Sequence, residues 1–315
     1  MKEISRRSFL KKTTLLGASI LLGENIIWNL IKENPQRALA ATAKPDIISV
    51  KGKDYFANTI KAVEQLGGMK AFVGRGDRVG LLVNSPFRNL GASVHPDITL
   101  AVIQMCYDAG AKGIYYLKDP HRSYWKKTAL AGKYVDAIKS LKYESGDHVK
   151  MDIPGGIALK DTKVNKDLLQ CDVFINVSKT KHHRGVHMTG TLKNMMGLCP
   201  FSTNIFFHIG SLKNIGLYGN IDHLSQCIAD LNLIRKPELC ISDATVFITE
   251  KGPSGPGKLA RSDMVVASPN RVTLDAFCCR LLGHQPEKIL MIRNAFRHGL
   301  GEIDLQKVRI KELTA

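Results

Sequence analysis

"CDVFINVSKTKHHRGVHMTGTLKNMMG", residues 171–197, joins a short apolar run to a loop crowded with basic and imidazole side chains. Its first seven residues, rich in Val, Ile and Phe, read as a buried strand ending at Val177. Lys179, Lys181, His182, His183 and His187 then fall on the loop behind the strand, and Thr189 or Thr191 opens a helix. In sheets made of parallel strands, ligands collect at the carboxyl ends of the strands. The helix start adds free backbone N–H groups that suit a phosphate or carboxylate.

Working outward, "DRVGLLVN" (77–84) and "GIYYLKD" (113–119) read as further strands, with "DYFANTIKAVEQLGGM" (54–69) and "HPDITLAVIQMCYDAGA" (95–111) as helices around them. The second of these helices carries an early proline and a glycine stop. A helix is predicted across 123–141, a strand near 148–153 and a helix near 165–170. Beyond residue 197, helices are predicted at 221–237, 271–283 and 286–299, and strands at 238–249, 262–268 and 307–310. The alternation describes one α/β unit over residues 44–315, with a mostly parallel sheet flanked by helices. A division into two lobes near residues 145–160 stays open.

The 315 residues are 44% hydrophobic and 23% charged, the balance of a globular protein. The chain opens with Ser5-Arg6-Arg7-Ser8-Phe9-Leu10-Lys11, a mildly apolar stretch broken by Gly17, Gly23 and Glu24, and small residues at Ala38–Ala43. Residues 1–43 therefore resemble a twin-arginine export signal, which implies the twin-arginine translocase as a partner. The expected location is the periplasm or the outer face of the cytoplasmic membrane, with membrane contact only through that segment if it stays uncleaved. A membrane-anchored amphipathic helix is the alternative. The export route carries folded proteins, often with a cofactor already loaded.

Net charge is +17; residues 1–43 hold seven of the 45 Lys/Arg and three of the 28 Asp/Glu, leaving +13 for the remainder. Such a surface favours anionic partners, which are phosphate-bearing cofactors, small carboxylate substrates, acidic lipids or nucleic acid, or it is a solvated lysine-rich surface. No zinc-finger spacing or RNA-recognition motif accompanies it, so nucleic acid is not an expected partner. The seven cysteines show no CxxC and no ferredoxin spacing, so no iron–sulfur cluster motif is present. They sit mostly in apolar runs and read as buried thiols.

Imidazoles at a strand end can bind a divalent metal or move protons near neutral pH. His95, His121 and His208 also fall at loop positions. Neither HExxH nor paired Cys/His spacing supports zinc.

Five segments in order, "LLVNSPFRNLGASVHPDITLAVIQMCYDAGAK", "CDVFINVSKTKHHRGVHMTGTLKNMMGLCP", "ISDATVFITEKGPSGPGK", "VVASPNRVTLDAFCCRLLG" and "GLGEIDLQKVRI", resemble the family called domain of unknown function 362. A more distant resemblance is to lactate racemase and its relatives, which use a nickel pincer nucleotide tethered to a lysine. In that family a histidine precedes the lysine by ten residues and a nickel-binding histidine follows. Here His183 precedes Lys193 by ten residues and His208 follows, while "KDPHRS" offers His121. The resemblance implies Lys193 as cofactor holder, His208 as nickel ligand, and His121 and His183 as proton-transfer groups. Arg88, Ser93 and Thr189 would join Lys193 in holding a phosphate-bearing cofactor, and Lys179 and Lys181 would hold the substrate carboxylate. The family's Ser-Gly-Gly turn is replaced by Thr189-Gly190-Thr191, and its phosphate-binding segment by "NSPFRNLGAS".

Two functions follow. One is an exported enzyme acting on a small anionic substrate by racemisation, epimerisation or a related proton or hydride transfer. The other is a non-catalytic cell-envelope protein that holds an anion or serves a redox or cofactor system. "EKGPSGPGK" (250–258) reads as a lid or a plain surface loop, since it lacks GxxxxGK[ST] spacing. Asp243 is expected to end a strand near the cleft, Asp275 to satisfy a buried polar contact, and His298 to sit at a helix end.

Overall fold

The computed structural model describes residues 45–143, 145–209 and 220–315, so the segment read as an export signal lies outside the described residues. Within them the strands are β1 (Ile47–Lys51), β2 (Arg78–Val83), β3 (Gly113–Tyr116), β4 (His148–Asp152), β5 (Asp161–Asn165), β6 (Val173–Lys179), β7 (Lys181–His183), β8 (His187–Thr189), β9 (Leu239–Ile248), β10 (Leu259–Ser268) and β11 (Ile310–Thr314). The helices are α1 (Tyr55–Gln65), α2 (Pro96–Asp108), α3 (Val135–Ser140), α4 (Asp167–Gln170), α5 (Thr191–Asn194), α6 (Phe201–Ile209), α7 (Ile221–Leu231), α8 (Arg271–Cys279) and α9 (Leu290–Arg297).

Seven of these strands form one sheet in the order β11-β1-β10-β9-β6-β2-β3. Four of its neighbour pairs are parallel; β10 runs antiparallel to both β1 and β9. The expected mostly parallel sheet is thus present. Residues Asp46–Ala315 form one compact unit.

Side-chain alternation along β6 sets the two faces. Val173, Ile175 and Val177 join the cluster built with Ile98 and Val102 of α2 and Ala62 and Val63 of α1. Phe174 joins the opposite cluster, with Leu192 of α5, Ile228 of α7 and Ala276 of α8. Asn176 and Ser178 continue that second face, and both bond to Thr191 at 3.1 and 2.9 Å. Odd and even residues of one strand therefore serve two different helix layers. Helix α2 starts where the sequence says it should, with Pro96 in its first turn and His95 as its cap.

Three expectations are corrected. The predicted helix over 123–141 is broken into two 3₁₀ turns, Trp125–Lys127 and Ala129–Gly132, followed by α3. Gly132 and the Thr128 cap divide the pattern, since Thr128 accepts from Leu130 N instead of extending the helix. The strand near 148 does not enter the main sheet: β4 pairs only with the unexpected β5, as an antiparallel ribbon. Finally, β6 runs two residues past Val177, because Ser178 and Lys179 pair with Ser242 and Asp243 of β9. Lys179 is therefore a strand residue.

Candidate functional site

The end of β6 leads into a small antiparallel ribbon, β7 with β8, which delivers the chain to α5. Gly190 sits at that junction because the chain passes directly over the Asp275 carboxylate. Asp275 accepts the backbone N–H of Thr191 at 2.6 Å and of Leu192 at 2.9 Å, capping α5 from another helix. The expected buried polar contact of Asp275 is this one, and burial raises its pKa to about 6 despite those bonds. A Cβ at Gly190 would lie 2.5 Å from Asp275 Oδ1. Gly190→Ala is expected to lose about 1–3 kcal/mol through that overlap, read as a lower urea midpoint with an unchanged slope.

Beside α5 is a cavity of about 420 Å³ whose wall includes Asn84, Phe87, Lys118, Lys181, Thr189, Lys193, Met196, Asn204, His208 and Pro253. Among the described residues three lysines and a histidine line it, and no carboxylate does. Lys181 is fully buried, donating to Asn84 Oδ1 at 3.0 Å and to Ala92 O, with its ammonium 4.6 Å from the Phe87 ring centroid. Burial, then the charges of Lys179 and Lys193, push its pKa well down. Lys193 keeps partial exposure, and its Nζ approaches Met196 Sδ at 3.4 Å. Desolvation lowers its pKa to about 8, which enlarges the neutral, nucleophilic fraction of the amine.

Two buried oxygens on this wall lack partners among the described residues. Thr189 Oγ1 has none although Thr189 is 4% exposed, and Asn204 Oδ1 has none although its amide nitrogen serves Met196 O and Cys199 O. Buried polar atoms of this kind ordinarily find partners, so both point to a polar ligand or water in the cavity.

The histidines divide by hydrogen bonding. His208 Nδ1 donates to Asn204 O at 2.7 Å, which leaves the lone pair of the neutral ring on Nε2. His183 Nδ1 accepts from Gly185 N and Val186 N at 3.1 and 3.3 Å, so its neutral ring carries hydrogen on Nε2. The two ring centroids are 6.2 Å apart. Burial, then Lys193 and His208, lower the His183 pKa to about 2. Desolvation also lowers that of His208. His183 is buried at 2% exposure and does not line the cavity, so it stands next to the wall, not in it.

Other residues singled out by sequence go elsewhere. Lys179 is 1% exposed and pairs with Asp243 at 2.8 Å, so it is not a loop cation awaiting a carboxylate. Arg88 and Ser93 line a separate cavity of about 290 Å³ with His95, Lys127, Lys179 and Asp243. Ser93 Oγ is already used, accepting from Phe87 N and donating to Phe87 O. Asp243 lies inside β9, not at its end. His121 lines neither cavity: its N–H bonds Ser85 O, and Nδ1 meets Ser123 Oγ at 2.8 Å. His298 caps α9, but its main partner is Asp230 at 2.7 Å. The 250–258 loop packs through Gly252 N to His182 Nδ1 and Ser254 O to Asn89, with Pro253 in the larger cavity's wall.

Sequence reading passed over the amide chain behind the cavity. Asn194 Nδ2 donates to Asn176 Oδ1 at 2.7 Å, and Asn84 Nδ2 to Asn194 Oδ1 at 3.1 Å. Its signal was an asparagine in each of two otherwise apolar strand patterns, "LLVN" and "VFINV".

Among the described residues no group of three or more His, Cys, Asp or Glu could hold a metal ion, and no helix is long and apolar enough to cross a membrane. All seven cysteines are buried and free.

Residues 81–280 match the family described as domain of unknown function (DUF362). The chain is 26% identical over 266 residues to a thylakoid-associated protein of Synechocystis sp., covering 80% of this chain and 78% of that protein. Among solved structures it is similar to the lactate racemase apoprotein of Thermoanaerobacterium thermosaccharolyticum, at 11% identity, TM-score 0.44, 76% of this chain and 57% of that one. A protein of Thermotoga maritima matches at 14% identity and TM-score 0.41, over 75% of this chain and 60% of that one. The chain thus spans less than two thirds of either solved structure.

Proposed function

The chain belongs to the DUF362 family, and from that premise we propose that the larger cavity binds a small anionic substrate, a hydroxy- or keto-carboxylate, and transfers a proton on it. The observation that carries this reading is the cavity's lining: Lys181 and Lys193 with no carboxylate among the described residues, beside a Thr189 hydroxyl that has no partner among them. Amine donors with no acid facing them favour an anion, whose binding would in turn favour their protonated form. His208 Nε2, with its tautomer set by Asn204 O, is the proton acceptor. Lys181, anchored by Asn84 and Ala92, holds the carboxylate end without swinging away. Thr189 Oγ1 fixes a substrate oxygen. His183 is a positioning residue, whose neutral ring keeps a further positive charge away from Lys193.

The nickel pincer nucleotide implied by the sequence resemblance fits this chain only in part. Lys193 suits covalent attachment of a cofactor, with its crowded amine and lowered pKa. The residues expected to seat a phosphate, Arg88 and Ser93, face the other cavity, and His208 offers a single imidazole lone pair. The nucleotide as a whole therefore does not fit.

D- and L-lactate, with melting temperature as the readout, test this reading. A saturable rise is expected in wild type and is expected to be lost in Lys181→Met, which removes the carboxylate holder. No rise with either acid in wild type would overturn the enzyme reading and leave an accessory protein of the cell envelope. Delivery by the twin-arginine translocase belongs to the same proposal, and exchanging Arg6-Arg7 for Lys-Lys is the variant that tests it.

A further inference from the structure

Arg271, the first residue of α8, is 4% exposed, yet no ion pair joins it to any carboxylate among the described residues. Its Nη2 donates to Asn232 O at 2.8 Å, while its Nε is buried with no hydrogen-bond partner. Burial lowers its pKa, and the Cys240 thiol acts the other way. A guanidinium does not escape burial by losing its proton, so this side chain remains a cation in need of a counter-charge. Buried charges are ordinarily paired or bound to a ligand.

The space in front of Arg271 is a cavity of about 370 Å³, lined also by Asn232, Leu233, Lys236, Asn270 and the segment 299–301. It shares no lining residue with the Lys193 cavity. Among the described residues two cations face it and no acid does. The N–H groups of Val272 and Thr273 are already taken by Asn270 Oδ1, so the attraction comes from the guanidinium and not from the helix end. Asn232 donates its amide to Leu192 O and Ile228 O, and its Oδ1 has no donor. A phosphate monoester or a hydroxy-carboxylate offers the O–H that this oxygen lacks.

We propose that this second cavity is an oxyanion site, which takes the phosphate or carboxylate of a small molecule against the Arg271 guanidinium and Lys236. Inorganic phosphate and acetate are the probes, titrated separately at constant ionic strength into wild type, Arg271→Met, Arg271→Lys and Lys193→Met. Melting temperature and the arginine Nε–Hε resonances are the two readouts. One saturable Nε–Hε shift is expected in wild type and in Lys193→Met, absent from both Arg271 variants. Arg271→Lys should weaken binding by about tenfold or more through loss of the planar fork. Arg271→Met should melt no lower than wild type without added anion, and should lose the anion-dependent rise. Saturation by phosphate alone identifies a phosphoryl ligand; saturation by acetate alone identifies a carboxylate. Absence of a saturable shift with both probes, or a melting rise that survives in Arg271→Met, overturns the proposal. Should Arg271→Met not fold, the wild-type and Arg271→Lys resonances decide alone.

Discussion

Lys179→Met is expected to cost about 3–5 kcal/mol of stability and Asp243→Asn at least as much, while the double variant recovers much of the loss. Both side chains are at most 2% exposed and lie 2.8 Å apart. Removing either one strands the other charge in the core, whereas removing both leaves two neutral groups of similar volume. Asp243 carries more than the pair: Oδ1 also accepts from Thr245 N and Oγ1, and Oδ2 accepts from His95 N at 2.7 Å, where α2 begins. Some loss therefore persists in the double variant. Burial alone would raise the Asp243 pKa, but Lys179 and Thr245 hold it below 3.8. A depressed carboxylate contributes stability above its unfolded pKa and loses it as pH falls through the folded value. Urea unfolding at neutral pH and near pH 3 checks both statements. A double variant no better than the worse single would show that the backbone bonds of Asp243 dominate and the ion pair does not.

His208→Gln is expected to reduce proton transfer by about 10²–10⁴-fold. The readout is deuterium uptake from D2O at the α-carbon of a bound hydroxy acid, which needs no knowledge of the final product. His183→Gln should lose less, because His183 is walled off from the cavity. The two variants also separate base from metal ligand. Loss of bound metal in His208→Gln, with no deuterium uptake in wild type, would assign Nε2 to coordination and remove it as the base.

Much of this was legible in the chain. The apolar run before Ser178, the Pro96 start of α2 and the glycine stops were enough for a layered α/β fold with a mostly parallel sheet. Lys193, Thr189, Lys181 and His208 were all singled out, and all line one cavity. The errors share a cause. Nothing local in "NVSKTK" shows that β9 offers partners for two more residues, so the sequence places Lys179 on the loop, free to hold a substrate carboxylate, whereas Asp243 lies 2.8 Å away. Arg88 and Ser93 were grouped with Lys193 because spacing along a chain does not say on which side of a loop a side chain falls. The tautomers of His183 and His208 depend on backbone groups, which no residue pattern reveals.

The sheet's order carries a consequence for how the protein is made. Strand β1 has no partner near it in sequence: Val50 pairs with Val265 of β10 and with Leu313 of β11. At synthesis rates of about 5–20 residues per second, Val50 waits roughly 10–40 s for Val265 to be made. Throughout that interval Ile47, Ile48 and Val50, all fully buried in the finished fold, have no sheet to cover them. The first strand of the described residues is thus among the last to find its partners.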